Sequence, residues 1–230
     1  MSGWFEIEFG LGSATYFCCV GCIMLNRSAQ GQRVLSRWIK RFSRSVAAIL
    51  LAAVVVYADE PAATELRLPD LDGRQIEPLR AKDAKAVVFI FIRTDCPISN
   101  RYAPEVRRLY EKFASSGVKF WLVYLDPDES SQLIRNHIKE YEYRLSALRD
   151  SHHKLVKITG AQVTPEAAVF SPTGRMVYRG RIDDRYVAFG KARPSPTTHD
   201  LEQVLEAMLE GKQVTSKTTA AIGCFIPDLQ

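Results

Sequence analysis

The chain of 230 residues is long enough for one ordinary domain with extensions, since a domain takes roughly 100–200 residues. Its 47% hydrophobic and 25% charged residues form a globular balance that excludes a repeat array or wholesale disorder. The net charge of +5 arises before Asp59, where six Lys and Arg accompany two acids; beyond that point 25 basic residues meet 24 acidic ones, which argues against a nucleic-acid footprint on the folded part.

Phe9 to Leu25 is uncharged and mildly apolar and holds Cys18, Cys19 and Cys22. A metal site there would lack the His or second CxxC that zinc ligation uses. Translation starting at Met24 would give a leader of ordinary shape, Met24 to Ala58. Its basic stretch, Arg27 to Arg44, precedes the apolar run Val46 to Tyr57, and Val56-Tyr57-Ala58 supplies a small-x-small cleavage pattern. The run of twelve residues is short of the ~20 that a spanning helix needs. Residues 1–58 are therefore expected to be a secretory signal peptide, with an uncleaved membrane anchor through residues 46–57 as the alternative. Removing the leader leaves two cysteines, Cys96 and Cys224. In an oxidising compartment they are a natural pair, or they are two independent thiols.

Residues 59–64 read as a Pro/Ala/acidic linker. Glu65-Leu66-Arg67-Leu68 alternates like a short strand, and Pro69-Asp70-Leu71-Asp72-Gly73 is turn chemistry. Ala86–Ile92 is continuously apolar, as a strand covered on both faces should be. The helix after it contains Pro104, carries Tyr102, Val106, Leu109, Tyr110 and Phe113 on one face, and stops at Gly117. Val118–Leu125 is a second buried strand, broken by Asp126-Pro127-Asp128. A helix from Ser130 or Ser131 is expected to bury Leu133, Ile134, Ile138 and Tyr141. Leu155, Val156 and Ile158 suggest a helical turn. Ala167–Phe170, the turn Ser171-Pro172-Thr173-Gly174 and Met176-Val177-Tyr178 predict a β-hairpin. Thr198 or Asp200 opens a last helix that ends at Gly211. The tail, residues 212–230, shows no periodicity. Strand–helix–strand followed by a hairpin implies an α/β fold, a mixed sheet with helices on both faces.

Cys96 lies where the first buried strand gives way to a helix. Unpaired backbone N–H groups and the positive end of the helix dipole favour its thiolate, the reactive form. Free Cys also serves as a small buried hydrophobe. Asp95 disfavours thiolate, and Arg93 offsets it; Asp95 could instead carry protons to or from the sulfur. Ser99, three residues on, can hydrogen-bond the sulfur or help cap the helix. His137, His152, His153 and His199 are scattered. Arg179, Arg181, Asp183, Asp184 and Arg185 read as a solvated charged face.

Four landmarks, in order, resemble the thioredoxin-like redoxins, especially exported thiol-disulfide oxidoreductases and peroxiredoxin-like proteins. Leu68-Pro69-Asp70-Leu71-Asp72-Gly73 is similar to the first strand and turn of exported redoxins. Cys96 with Ala103-Pro104 matches an active-site Cys eight residues before a helix-kinking proline. Thr164-Pro165 matches a loop whose proline is cis and faces the sulfur. Ser171-Pro172-Thr173-Gly174-Arg175 with Arg179-Gly180 matches the hairpin that follows. The resemblance covers residues 65–211. It implies a thioredoxin-like fold, Cys96 as nucleophile toward a disulfide or peroxide, and substrate contact at Pro97, Thr164 and Pro165. It implies an external thiol reductant, antioxidant or redox-homeostatic work in the periplasm or another extracytoplasmic space, and no cofactor or metal.

The chain departs from both patterns. Asp95 replaces the thioredoxin Trp and Ser99 the second Cys, so no local disulfide can close at Cys96. Arg93 and Phe89 stand where peroxiredoxins have a hydroxyl residue and a proline. Cys224 is left as the resolving thiol, or as an unpaired or intermolecular one. The other class of reading is a non-enzymatic module that binds a partner, or copper through Cys96, Cys224 and a His, although no CxxxC is present.

Overall fold

The computed structural model describes residues 66–81, 83–214 and 217–227. The chain divides into the units Met1–Ala58 and Asp59–Gln230, and the described residues all belong to the second. The expectations for residues 1–58, for Cys18, Cys19 and Cys22, and for the 59–64 linker lie outside them.

A two-stranded ribbon comes first, β1 (Leu68–Pro69) against β2 (Gln75–Ile76), turned by Gly73 at a φ of 80°. The continuous apolar run forms β3 (Ala86–Ile92), buried at every position. Two helices follow, α1 (Pro97–Arg101) and α2 (Ala103–Phe113). They break at Tyr102 because Pro104 has no N–H to give the Asn100 carbonyl. Gly117, at a φ of 93°, ends the last turn and admits β4 (Val118–Tyr124).

Next come α3 (Ser131–Glu140), capped by the Ser130 hydroxyl accepting from the Leu133 N–H, then β5 (Ser146–Arg149) and α4 (Lys154–Thr159). Strand β6 (Val163–Thr164) precedes the hairpin of β7 (Glu166–Phe170) and β8 (Met176–Gly180). A small ribbon, β9 (Tyr186–Ala188) with β10 (Lys191–Ala192), leads to α5 (Asp200–Leu209). The tail adds β11 (Lys217–Thr218) and β12 (Cys224–Phe225).

The main sheet runs β11-β8-β7-β3-β4-β5. Strands β3, β4 and β5 are parallel, β7 is antiparallel to β3, and β8 to β7. Alternate side chains of β3 enter opposite layers, as a period of two requires. Val88, Ile90 and Ile92 pack with Val106, Leu109, Ile134, Leu201 and Leu205 from α2, α3 and α5. Val87, Phe89 and Phe91 pack on the other face with Leu155 and Val156 from α4. Helices thus cover both faces of a mixed sheet, as expected.

Three local expectations change. Leu133 is 47% exposed, so α3 instead buries His137 beside Ile134. The charged run is no solvated face at its centre: Asp183 and Asp184 are buried. Asp183 accepts from the Tyr102 hydroxyl, and Asp184 accepts from the N–H groups of Thr197 and Thr198. The tail, aperiodic in sequence, is tied to the fold at both ends of its course. β11 runs parallel to β8 at the sheet edge, and β12 pairs antiparallel with β6.

Candidate active site

Cys96 is the N-cap of α1, with extended backbone dihedrals of φ −85° and ψ 109°. Its Sγ accepts from the Ser99 N–H at 3.5 Å and lies 3.1 Å from the Thr164 carbonyl oxygen, to which the thiol donates. Pro97 occupies the first turn, where a missing N–H costs nothing. The side chain is 1% exposed, on the main core layer. The Ser99 hydroxyl is buried and hydrogen-bonded to nothing in this structure, and its presence beside the thiol favours the thiolate.

The loop of residues 94–96 is held by groups that the sequence reading missed. Glu129, buried, accepts from both the Thr94 N–H at 2.8 Å and the Thr94 hydroxyl at 2.5 Å. Asn100 Nδ2 donates to the Thr94 carbonyl at 3.0 Å. His137 Nε2 donates to Asn100 Oδ1 and accepts the Tyr124 hydroxyl at Nδ1, both at 2.9 Å. Only acceptor capacity remains at Asn100 Oδ1, which fixes this tautomer. The chain of bonds reaches from β4 through α3 to the loop before the thiol.

The Thr164–Pro165 peptide bond is cis. Thr164 stands in register with Cys224, and Val163 with Phe225. The site therefore gathers Cys96, Ser99, Thr164, Pro165 and Cys224, while Pro97 lies exposed at the start of α1. Asp95 points outward and pairs with Arg93 at 2.9 Å; Arg93 also reaches Asp126 at 3.3 Å. Among the described residues, Asp95 makes no hydrogen bond to either sulfur.

Burial by itself would raise the Cys96 pKa. Cys224, the Ser99 side chain and N–H, and the Thr164 side chain outweigh it, so the net displacement is downward. Cys224 is pushed up to about 12, by burial first, then by its hydrogen bond to Cys96 and the charges of Cys96 and Asp95, against Arg93. Two thiols side by side therefore differ in which one ionises. Both are free in this structure.

The AhpC/TSA family pattern matches residues 60–179, a little over half of the chain, through the strand that leads to Cys96 and the loop at Thr164. The chain belongs to the AhpC/TSA family. The thiol-disulfide oxidoreductase ResA of Bacillus cereus (strain ATCC 10987 / NRS 248) is 27% identical over 108 residues, 47% of this chain. The matched stretch spans 61% of the length of that curated relative. An uncharacterised conserved protein from Geobacillus kaustophilus is 27% identical with a TM-score of 0.63, covering 73% of this chain and 92% of that one. A putative thioredoxin from Neisseria meningitidis, 17% identical, superposes with a TM-score of 0.50 over 65% of this chain and 91% of its own, which bears on the fold alone. The fold of this AhpC/TSA member is thioredoxin-like.

A second cluster lies apart from the thiols. One ligand-type atom from each of Glu105, Asp183 and His199 falls within 4.8 Å of the others.

Proposed function

We propose that the chain is a thiol-disulfide oxidoreductase in which Cys96 is the nucleophile and Cys224 the resolving thiol. The observation that carries this reading is the register of β12 on β6. It sets Cys224 opposite Thr164, the residue whose carbonyl touches Cys96 Sγ.

Thiolate is the attacking species, and Cys96 is the cysteine whose pKa lies below its ordinary value. Its sulfur bonds to one sulfur of a substrate disulfide, and the other leaves as a thiolate. Cys224 then gives up its proton and attacks Cys96 Sγ, which releases the second substrate thiol and leaves a Cys96–Cys224 disulfide. An external dithiol reduces that disulfide and becomes a disulfide itself. Ser99 stabilises the Cys96 thiolate. Asp95, exposed and paired with Arg93, helps keep the proton on Cys224 until the attack, when it passes to solvent. Pro97 and the Thr164–Pro165 segment contact the substrate.

Disulfide substrates are favoured over peroxides for two reasons. The ResA relatives are named for disulfide chemistry, and Arg93 and Phe89 replace the hydroxyl residue and proline of the peroxidase pattern. In this reading residues 1–58 direct export and residues 46–57 would supply any membrane tether. Residues 59–64 are the linker, 65–211 the redoxin domain, and 212–230 the arm that brings the second thiol. The substrates would then be extracytoplasmic protein disulfides.

Trapping tests the assignment. With a model peptide disulfide, Cys224→Ser should accumulate a mixed disulfide at Cys96, and Cys96→Ser should form none. If neither variant forms an adduct while the unaltered chain binds Cu(I) tightly through both cysteines, the protein is a binding module instead.

A further inference from the structure

The arm that carries Cys224 occupies backbone hydrogen-bonding positions beside the nucleophile. Its seat is cut to fit. A Cβ at Gly223 would lie 2.2 Å from the Thr164 carbonyl oxygen and 2.7 Å from the Thr164 carbonyl carbon. Gly223 has no positive φ, so space alone forbids a side chain there. At the other end a Cβ on Gly180 would lie 2.3 Å from the Thr219 carbonyl oxygen. The Thr219 hydroxyl meets the Tyr178 hydroxyl at 2.7 Å and accepts from the Arg181 N–H at 3.2 Å. Yet the ladder of β12 on β6 is two residues long, and Phe225 within it is 81% exposed. A strand paired so briefly belongs to the part of a fold that opens first.

We infer that this arm and an incoming extended polypeptide exchange for the same edge of β6. This rests on the reading of Cys96 and Cys224 as a redox pair. With the arm seated, Cys96 is covered; a polypeptide disulfide reaches it by lifting β12 off Val163–Thr164 and pairing there in its place. After the mixed disulfide forms, the returning arm takes back the edge and brings Cys224 to Cys96 Sγ. One movement forms the Cys96–Cys224 bond, breaks the Cys96–substrate bond and removes the substrate's backbone partner. Gly223 is the positioning residue of this exchange.

The test is Gly223→Ala in the full chain, with Gly180→Ala as a second variant that loosens the arm far from the sulfurs. Both should raise the rate of Cys96 alkylation by iodoacetamide about tenfold or more, the mark of a lost cover. Both should also let the peptide mixed disulfide build up with Cys224 still present. Wild-type alkylation rates in both variants, with no adduct build-up, would overturn the exchange. Loss of all adducts in Cys224→Ser would instead overturn the redox pair on which it rests.

The cluster of Glu105, Asp183 and His199 carries a second, independent inference. Asp183 is 1% exposed. Its Oδ1 serves the Tyr102 hydroxyl and the Arg185 N–H, while its Oδ2 has no partner. His199, its side chain 42% exposed, turns an unpartnered Nδ1 inward, 4.0 Å from Glu105 Oε1 and 3.8 Å from Glu202 Oε2, too far for hydrogen bonds. A buried carboxylate oxygen and a ring nitrogen without partners are costly. Glu105 keeps lone pairs free beside its bonds to Arg108.

The geometry points to a site for a first-row divalent cation, ligated by Glu105, Asp183 Oδ2 and His199 Nδ1. One imidazole with two carboxylates suits Mn(II), Fe(II) or Zn(II). Mn(II) is the probe, since it avoids thiolates. Titrated into the full chain, it should lose its free-ion EPR signal to one site that Cys96→Ser/Cys224→Ser retains and both His199→Ala and Asp183→Asn abolish. No binding, or binding untouched by His199→Ala in a folded protein, would overturn the site.

Discussion

Cys96 and Cys224 are the same chemical group in adjoining places, and their surroundings separate their proton affinities. Cys224, then the Ser99 hydroxyl and N–H, favour charge on Cys96, while burial first and Cys96 second keep the proton on Cys224. Ser99→Ala is expected to raise the Cys96 pKa, because it removes a hydroxyl whose dipole favours charge on the sulfur. The pH dependence of Cys96 alkylation measures it; an unchanged midpoint would remove Ser99 from the role. At pH 8 iodoacetamide should label Cys96, at the slow rate that the seated arm allows, and spare Cys224, whose pKa is pushed up to about 12. The position of Cys96 was legible in the sequence, because a buried apolar run ending in a thiol before a helix has few other readings. Glu129, Asn100 and His137 were not. Each is a polar residue in a polar stretch, and its burial depends on which strand and helix come to face it.

Among the elements, the continuous or alternating apolar segments are legible in the sequence: β3, β4, the β7–β8 hairpin, α2 and α5. Strand β5 is not legible there, since Ser146-Ala147-Leu148-Arg149 is too short to show a period; the edge of β4 makes it a strand. The tail is less legible still. Its two strands have two residues each, and backbone pairing with β8 and β6 holds them rather than an apolar face. Among the described residues Ile226 is its one anchor in the second core layer, and the Ile226 N–H donates to the Gln162 carbonyl at 3.0 Å. Ile226→Ala should therefore loosen the arm while global stability falls less than the roughly 2–5 kcal/mol usual for a core Ile→Ala change. Hydrogen exchange would show it as lost protection around β12 and β6, with β3 unaffected. Equal loss in β3 would mean that the arm unfolds only with the whole domain. Phe89→Ala, in the middle of the sheet, is expected to cost about 3–5 kcal/mol in urea unfolding.

Across the whole molecule, buried ionisable groups link stability to pH. Burial holds the His137 pKa at about 4, below its ordinary value of 6.5. The unfolded chain therefore binds the proton first as pH falls. The contribution of a neutral His137 is complete above pH 6.5 and is lost progressively toward pH 4, at up to about 1.4 kcal/mol per pH unit. Urea unfolding between those limits should show a shallower pH slope for His137→Gln than for the wild-type chain. Equal slopes would show that His137 titrates alike in both states. The same histidine ties α3 and β4 to the loop before Cys96, so low pH should also loosen the site.

Two cysteines far apart in sequence, Cys96 and Cys224, are proposed to work as one redox pair. Peptide mass mapping of the oxidised, unreduced protein tests it most directly. A single crosslinked peptide pair joining Cys96 to Cys224, absent after reduction, is the expected result. Recovery of both as free thiols after oxidation, or of Cys96 joined only to another molecule, would contradict it.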